Sequence, residues 1–356
     1  MNDKLFAAIS LAVFAVLTLG VMGFNYWIDP LWHYDHAHAY NDVQVVTDER
    51  EQKTADQQYG PPEDADTLLI GSSRSTYVQP SDFEEWDVYN YSVSNLSMRE
   101  YQSMIMYAFE QNPDYERVVL GVDFFKSSTE QASAPVSIKN YKAKVEQPFY
   151  RVKNLLSLDV LEYSLQNFEL SAEDAITEDR LYNRKGDAFA EVLSAEEVKA
   201  NTAAKIEKFG STFYGEHYEY FPQYKEIMQK VKDTEPQAEK IVYTTPISTA
   251  LFRELIAQGL LDEYETWLAD LVDVYGGVWN FMYPNPVTND IMNYFDGHHF
   301  YPEVGAMIAE RLEEGASAEV PETFGTFVTS DNLDRHFAQI ERLVAELETD
   351  ETLTQK

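Results

Sequence analysis

The chain has 356 residues, 44% of them apolar and 14% aromatic, which is ample for a large core, and its 25% charged residues exclude general disorder. Lys and Arg number 27 against 61 Asp and Glu, a net charge of −34 that opposes phosphate backbones, so no nucleic acid is expected as a partner. There is no cysteine, which removes disulfides, thiolate metal sites and cysteine nucleophiles together.

Leu5 to Phe24 is a run of 20 residues without a charge. At about 1.5 Å rise per residue it spans the roughly 30 Å hydrocarbon core of a bilayer. The run is long for a cleaved signal and leads into Phe24, Tyr26 and Trp27, which suit the membrane interface, so an uncleaved anchor over 1–24 is the preferred reading. A buried core helix fits poorly, because no polar face interrupts the run. Lys4 and the amino terminus are the only cations before it, and Asp3 partly offsets them. The expectation is a single-pass membrane protein whose acidic bulk is extracytoplasmic, in a periplasm or at a cell surface. Residues 25–64 then read as a stalk or capping arm ending at Pro61-Pro62. His33, His36 and His38 lie within it, but no carboxylate pattern completes a ligand set, so no metal is expected.

From Thr67 strand and helix signals alternate. Thr67–Gly71 is a buried-strand signal, Val88–Val93 a second, and Arg117–Phe124 a third with a near-continuous apolar run. Met98–Gln111 has helical apolar spacing. Residues 138–235 are longer-patterned, polar and mostly helical, with helices near 148–168, 194–209 and 221–233. Strands resume at Lys240–Thr245 and Gly277–Met282, separated by helices near 248–258 and 261–274. A helix opens at Pro302, and 321–356 holds a charged amphipathic helix and a tail. This pattern predicts an α/β domain over 65–320, with a parallel sheet covered on both faces and a helical insertion at about 138–235. In such sheets chemistry sits at the carboxyl ends of the strands.

Two of those ends carry chemistry. Gly71-Ser72-Ser73-Arg74 follows the first strand directly, so a hydroxyl can stand at the sheet edge beside amides able to stabilise an oxyanion. Strand-Gly-Ser turns also make phosphate loops and ordinary helix caps. Asp296-Gly297-His298-His299 precedes the Pro302 helix and puts a carboxylate and an imidazole on one loop, where the acid can orient the ring and the ring can take a proton from a serine. Loop histidines that merely cap a helix remain the plain alternative.

Together the two loops resemble the SGNH hydrolase superfamily of GDSL-type esterases, over about 67–125 and 240–314. The resemblance implies a flavodoxin-like, three-layer α/β/α fold. It implies Ser73 as nucleophile, His299 as base and Asp296 as its partner, with His298 as fallback base. Gly71-Ser72-Ser73 stands where the family has Gly-Asp-Ser, so Ser72 replaces an Asp. Asn95 stands about where an oxyanion-binding Gly belongs. Asp123, in Gly121-Val122-Asp123, stands where an Asn donor belongs, and an ionised Asp only accepts hydrogen bonds. Asp123 is therefore either structural, bonded to the serine turn, or the mark of altered activity. Arg74 either clamps an anionic or sugar-borne group or pairs with an acid such as Asp123. The G-S-S-R turn resembles membrane-anchored members that act on surface polymers. The implied function is a serine esterase or acyltransferase acting on ester groups, O-acetyl above all, of an extracytoplasmic glycan through an acyl-enzyme, with no metal or organic cofactor. Two alternatives stay open: an inactive protein of the same fold that binds glycan or joins envelope assembly proteins, and a lipid esterase or thioesterase.

Overall fold

The computed structural model describes residues 3–60, 64–132 and 137–349. Pro61-Pro62, taken above as the end of the arm, and the tail from 350 lie outside them. The chain divides into two compact units: Met1–Pro61 with Lys139–Lys185 and Phe189–Glu191, and Pro62–Ile138 with Gly186–Ala188 and Val192–Lys356. Residues 139–185 cluster with the amino-terminal segment, and 192–235 cluster with the sheet.

The second unit is α/β, built on a six-stranded sheet. Its strands are β1 (Thr67–Ile70), β2 (Val88–Asn90), β3 (Arg117–Val122), β4 (Glu239–Thr244), β5 (Val278–Asn280) and β6 (Thr326–Val328), in the order β2-β1-β3-β4-β5-β6. The first five are parallel. β6 is antiparallel to β5, with Val278 opposite Val328, which corrects the expectation of a purely parallel sheet. Every residue of β1 is buried, and in β3 only Arg117 is not, which is why both read as continuous apolar runs. The chain leaves β1 for one neighbour and returns to its other side as β3, so β1 and β3 flank the point where strand order reverses. Open α/β sheets bind ligands at that point.

Local signals position the connections. Ser248 caps helix Thr249–Ala257 by accepting from the Leu251 amide, and Ser194 with Glu197 forms a capping box on helix Ala195–Thr212. Helix Leu261–Tyr275 stops at Gly276, which adopts φ 84°. Pro302 opens helix Pro302–Glu314. Phe124, just past β3, stacks on Tyr218 at 4.7 Å and meets Trp267 edge-on, so the residues after β3 are held by a packed aromatic core.

In the first unit, helix Asp3–Ile28 has 26 residues and is long and apolar enough to cross a membrane. After it the chain folds compactly. Asp29 accepts from the His33 and Tyr34 amides, and Val43–Val45 pairs antiparallel with Leu181–Asn183.

Candidate active site

The serine turn is shaped by two glycines and a buried serine. A Cβ on Gly71 would stand 2.1 Å from Ser75 Oγ, and one on Gly121 would meet the same oxygen at 2.1 Å and Tyr243 Oη at 2.6 Å. Ser75 Oγ fills that space and accepts from Tyr243 Oη at 2.7 Å. Asn90, the last residue of β2, donates to the carbonyls of Ser75 and Val78, and its own oxygen accepts from the Ser92 amide. The Val93 amide donates to the Gly71 carbonyl at 3.1 Å, so the loop after β2 is tied to the serine turn. Ser72 is buried, and Ser73 is left partly exposed.

The 294–300 loop closes on itself. Tyr294 and Phe300 form an antiparallel bridge, and the Phe295 amide donates to the His299 carbonyl at 2.8 Å. At its tip Gly297 has φ 73°, and a Cβ there would lie within 3 Å of Thr202 and Ser248. Both reasons require glycine between Asp296 and the histidines.

These two loops meet. Ser73 Oγ lies 2.9 Å from His299 Nε2, and His299 Nδ1 lies 2.9 Å from Asp296 Oδ2. Asp296 Oδ1 accepts from the backbone amides of His298 and His299 at 3.0 and 2.7 Å. With the carboxylate on Nδ1, the ring presents Nε2 to the serine as acceptor. Burial pushes Asp296 upward, but the charge and hydrogen bond of His299, with His298 and Lys205, outweigh it and hold the carboxyl well below its ordinary range. His298 faces away into the interior, its ring 4.8 Å from Phe209 and 5.5 Å from Phe125. Burial, reinforced by Arg74 and His299, lowers it well below its ordinary value, so it stays neutral. The geometry gives the serine contact to His299 and not to His298.

Arg74 and Asp123 form a buried ion pair, Nη2 to Oδ1 at 2.6 Å, with side chains 1% and 2% exposed. Thr245 Oγ1 donates to the same carboxylate oxygen at 2.7 Å. Of the two readings of Arg74, the pairing is the one observed, since a guanidinium this enclosed has no surface to offer a substrate. Asp123 links the ends of β3 and β4 to the residue beside Ser73. Asn95 is exposed and adopts φ 58°, a left-handed conformation that Asn tolerates better than most residues. Its side-chain oxygen accepts from Lys126 Nζ.

Sequence reading missed Lys205. Its Nζ lies 2.6 Å from Asp296 Oδ2, the oxygen that also takes His299. It comes from helix Ala195–Thr212, and nothing local in the sequence connects that helix to the 294–300 loop. Asn90 and Ser75 were also missed, because their role depends on three strands lying side by side. Among the described residues no group of three or more His, Asp or Glu is placed to hold a metal. No protein-family model matches the chain, and no curated protein matches it in sequence.

Proposed function

We propose that the second unit is an SGNH-type serine esterase or acyltransferase, carried on an N-terminal membrane anchor and acting on ester groups, O-acetyl above all, of an extracytoplasmic glycan. The observation that carries this reading is the Ser73–His299–Asp296 relay at the carboxyl end of β1, with both links at 2.9 Å. A serine hydroxyl is a weak nucleophile near neutral pH, and this arrangement supplies its base and orients that base.

The steps follow from the donors and acceptors. The Ser73 hydroxyl gives its proton to His299 Nε2 as Oγ bonds to the ester carbonyl carbon. Negative charge collects on the carbonyl oxygen, where the amides near Ser73 and Asn95 are the candidate donors. The alcohol leaves with the proton from Nε2, and Ser73 holds the acyl group. Water or a sugar hydroxyl then gives its proton to His299 and attacks the acyl carbon, and His299 returns a proton to Ser73 Oγ as the acyl–Oγ bond breaks. Water yields hydrolysis and a sugar hydroxyl yields transfer. The external placement is supported by the acidic composition following the apolar helix Asp3–Ile28.

A second reading has one observation in its favour. Asp123, buried against Arg74, accepts hydrogen bonds where an Asn would donate to the oxyanion. With that donor absent, the fold would serve glycan binding or envelope assembly with little or no turnover.

The full chain in detergent or nanodiscs, assayed with acetyl-ester model substrates, separates the two. The first reading expects turnover that Ser73→Ala lowers by about 10³-fold or more, and labelling of Ser73 by a fluorophosphonate. Equal rates in the variant, or a label on another residue, would remove the catalytic assignment. No turnover together with retained glycan binding would establish the second reading.

A further inference from the structure

Residues 139–158 run against the charge of the chain. They hold Lys139, Lys142, Lys144, Arg151 and Lys153 with Glu146 as their one acid in 139–158, in a protein with 61 acids to 27 bases. Lys142 and Lys144 reach Glu146 and Glu51, and Arg151 lies over the Tyr34 ring at 4.2 Å. Lys139 and Lys153 stand exposed. In the same stretch Phe149, Val152, Leu156 and Leu158 are exposed, Phe149 at 75% and Leu158 at 72%. Phe149 also has φ 64°, a conformation uncommon for a bulky side chain, at the tip between helices Ile138–Val145 and Tyr150–Leu155.

This segment is fastened to the end of the apolar helix. Asn25 follows the 20-residue uncharged run directly, is fully buried, and donates to the carbonyls of Leu155 and Ser157 at 3.1 and 3.2 Å. Ser164 Oγ donates back to Asn25 at 2.9 Å, and Phe24 packs on Phe168 at 6.3 Å. The level at which the apolar run ends is therefore the level at which exposed aromatic, aliphatic and lysine side chains are displayed. A bilayer crossed by that helix has its headgroup layer there, and that layer favours this mixture of side chains.

We propose that 139–158 is a membrane-docking collar. Phe149, Val152, Leu156 and Leu158 enter the headgroup–acyl boundary, and Lys139 and Lys153 take anionic phospholipid headgroups. The proposal rests on reading Asp3–Ile28 as a membrane span. Its continuity with that helix and its positive charge in an acidic protein favour a lipid surface over a protein partner.

The absence of cysteine allows one label at a chosen site. Full-length Phe149→Cys and, separately, Leu17→Cys are labelled with an environment-sensitive fluorophore and placed in nanodiscs of phosphatidylcholine with or without phosphatidylglycerol. The label at position 149 is expected to shift to the blue, to be quenched by lipids spin-labelled near the headgroup, and to be shielded from aqueous iodide. The shielding should be greater with phosphatidylglycerol and should fall with added salt or with Lys139→Glu plus Lys153→Glu. Quenching at position 17 without quenching at 149 would overturn the collar and leave the anchor standing. Absence of lipid quenching at both would overturn both. A label at 149 shielded from iodide yet untouched by lipid quencher would point to a protein partner and also overturn the proposal.

Discussion

At the scale of single residues, Lys205 is the side chain with the clearest consequence. It shares Asp296 Oδ2 with His299, so it places a cation beside the ring that takes the serine proton in the proposed reaction. It acts through Asp296, which makes it a positioning residue. Lys205→Met should lower ester turnover by up to about 100-fold, because the carboxylate that orients the ring loses one of its fixed partners. Lys205→Arg should restore most of that turnover by keeping a cation on Asp296 Oδ2, while the thermal midpoint stays the same in both variants. Asp123 gives a stability prediction. Asp123→Asn strands the enclosed Arg74 charge and should cost about 3–5 kcal/mol, measured as a fall in the denaturation midpoint. Adding Arg74→Met should return much of it, since the orphaned cation is then gone as well.

At the scale of elements, two loops depend on glycines for different reasons. Gly71 and Gly121 leave room for Ser75 between β1 and β3, whereas Gly297 supplies a left-handed turn wedged against Thr202 and Ser248. Gly297→Ala would displace the carboxylate and the imidazole together. A shift of about 1 Å at a reacting group can cost about 100-fold in rate, so ester turnover should fall by about that much, and the strained turn should also cost about 1 kcal/mol or more of stability. The reverse result, loss of folding with full residual activity per folded molecule, would mean that the loop tip is held by the rest of the site. The element boundaries were largely legible. β1 and β3 announce themselves as apolar runs because both faces are covered, and Pro302 and Ser248 mark helix starts chemically. β6 was not legible, because Thr326–Val328 is three residues long and becomes a strand only by pairing with β5.

At the scale of the whole molecule, buried neutral histidines couple folding to acid. His336 is enclosed, with Nε2 2.8 Å from Asn280 Nδ2, and burial lowers it to about 4 from an ordinary 6.5. A lowered histidine binds its proton more readily in the unfolded chain. Its contribution is therefore full above pH 6.5 and is lost as pH falls toward about 4. His33 follows the same rule, lowered to about 3 by burial and Arg151. Asp82, raised to about 6 mainly by burial, works in the opposite direction over part of that range. Comparing wild type with His336→Gln isolates one group. The wild type should lose on the order of 3 kcal/mol more than the variant between pH 6.5 and 4, read from urea midpoints at each pH. Parallel pH dependence of the two would show that His336 is not the acid-sensitive group.

Some of this protein was determined by sequence alone. Composition set the charge and the absence of thiols, an unbroken apolar run set the helix long enough to cross a membrane, and period and run length set the strands of an α/β sheet. Those properties are local, and each is expressed within a few turns or strands of its own residues. Tertiary structure decided what depends on distant segments meeting. It brought Ser73 within a hydrogen bond of His299 and turned His298 into the interior. It buried Arg74 against Asp123, carried Lys205 to the carboxylate, and assigned 139–185 to the amino-terminal unit. Each of these is set by which surfaces exclude water against one another, and chain order alone does not carry that information.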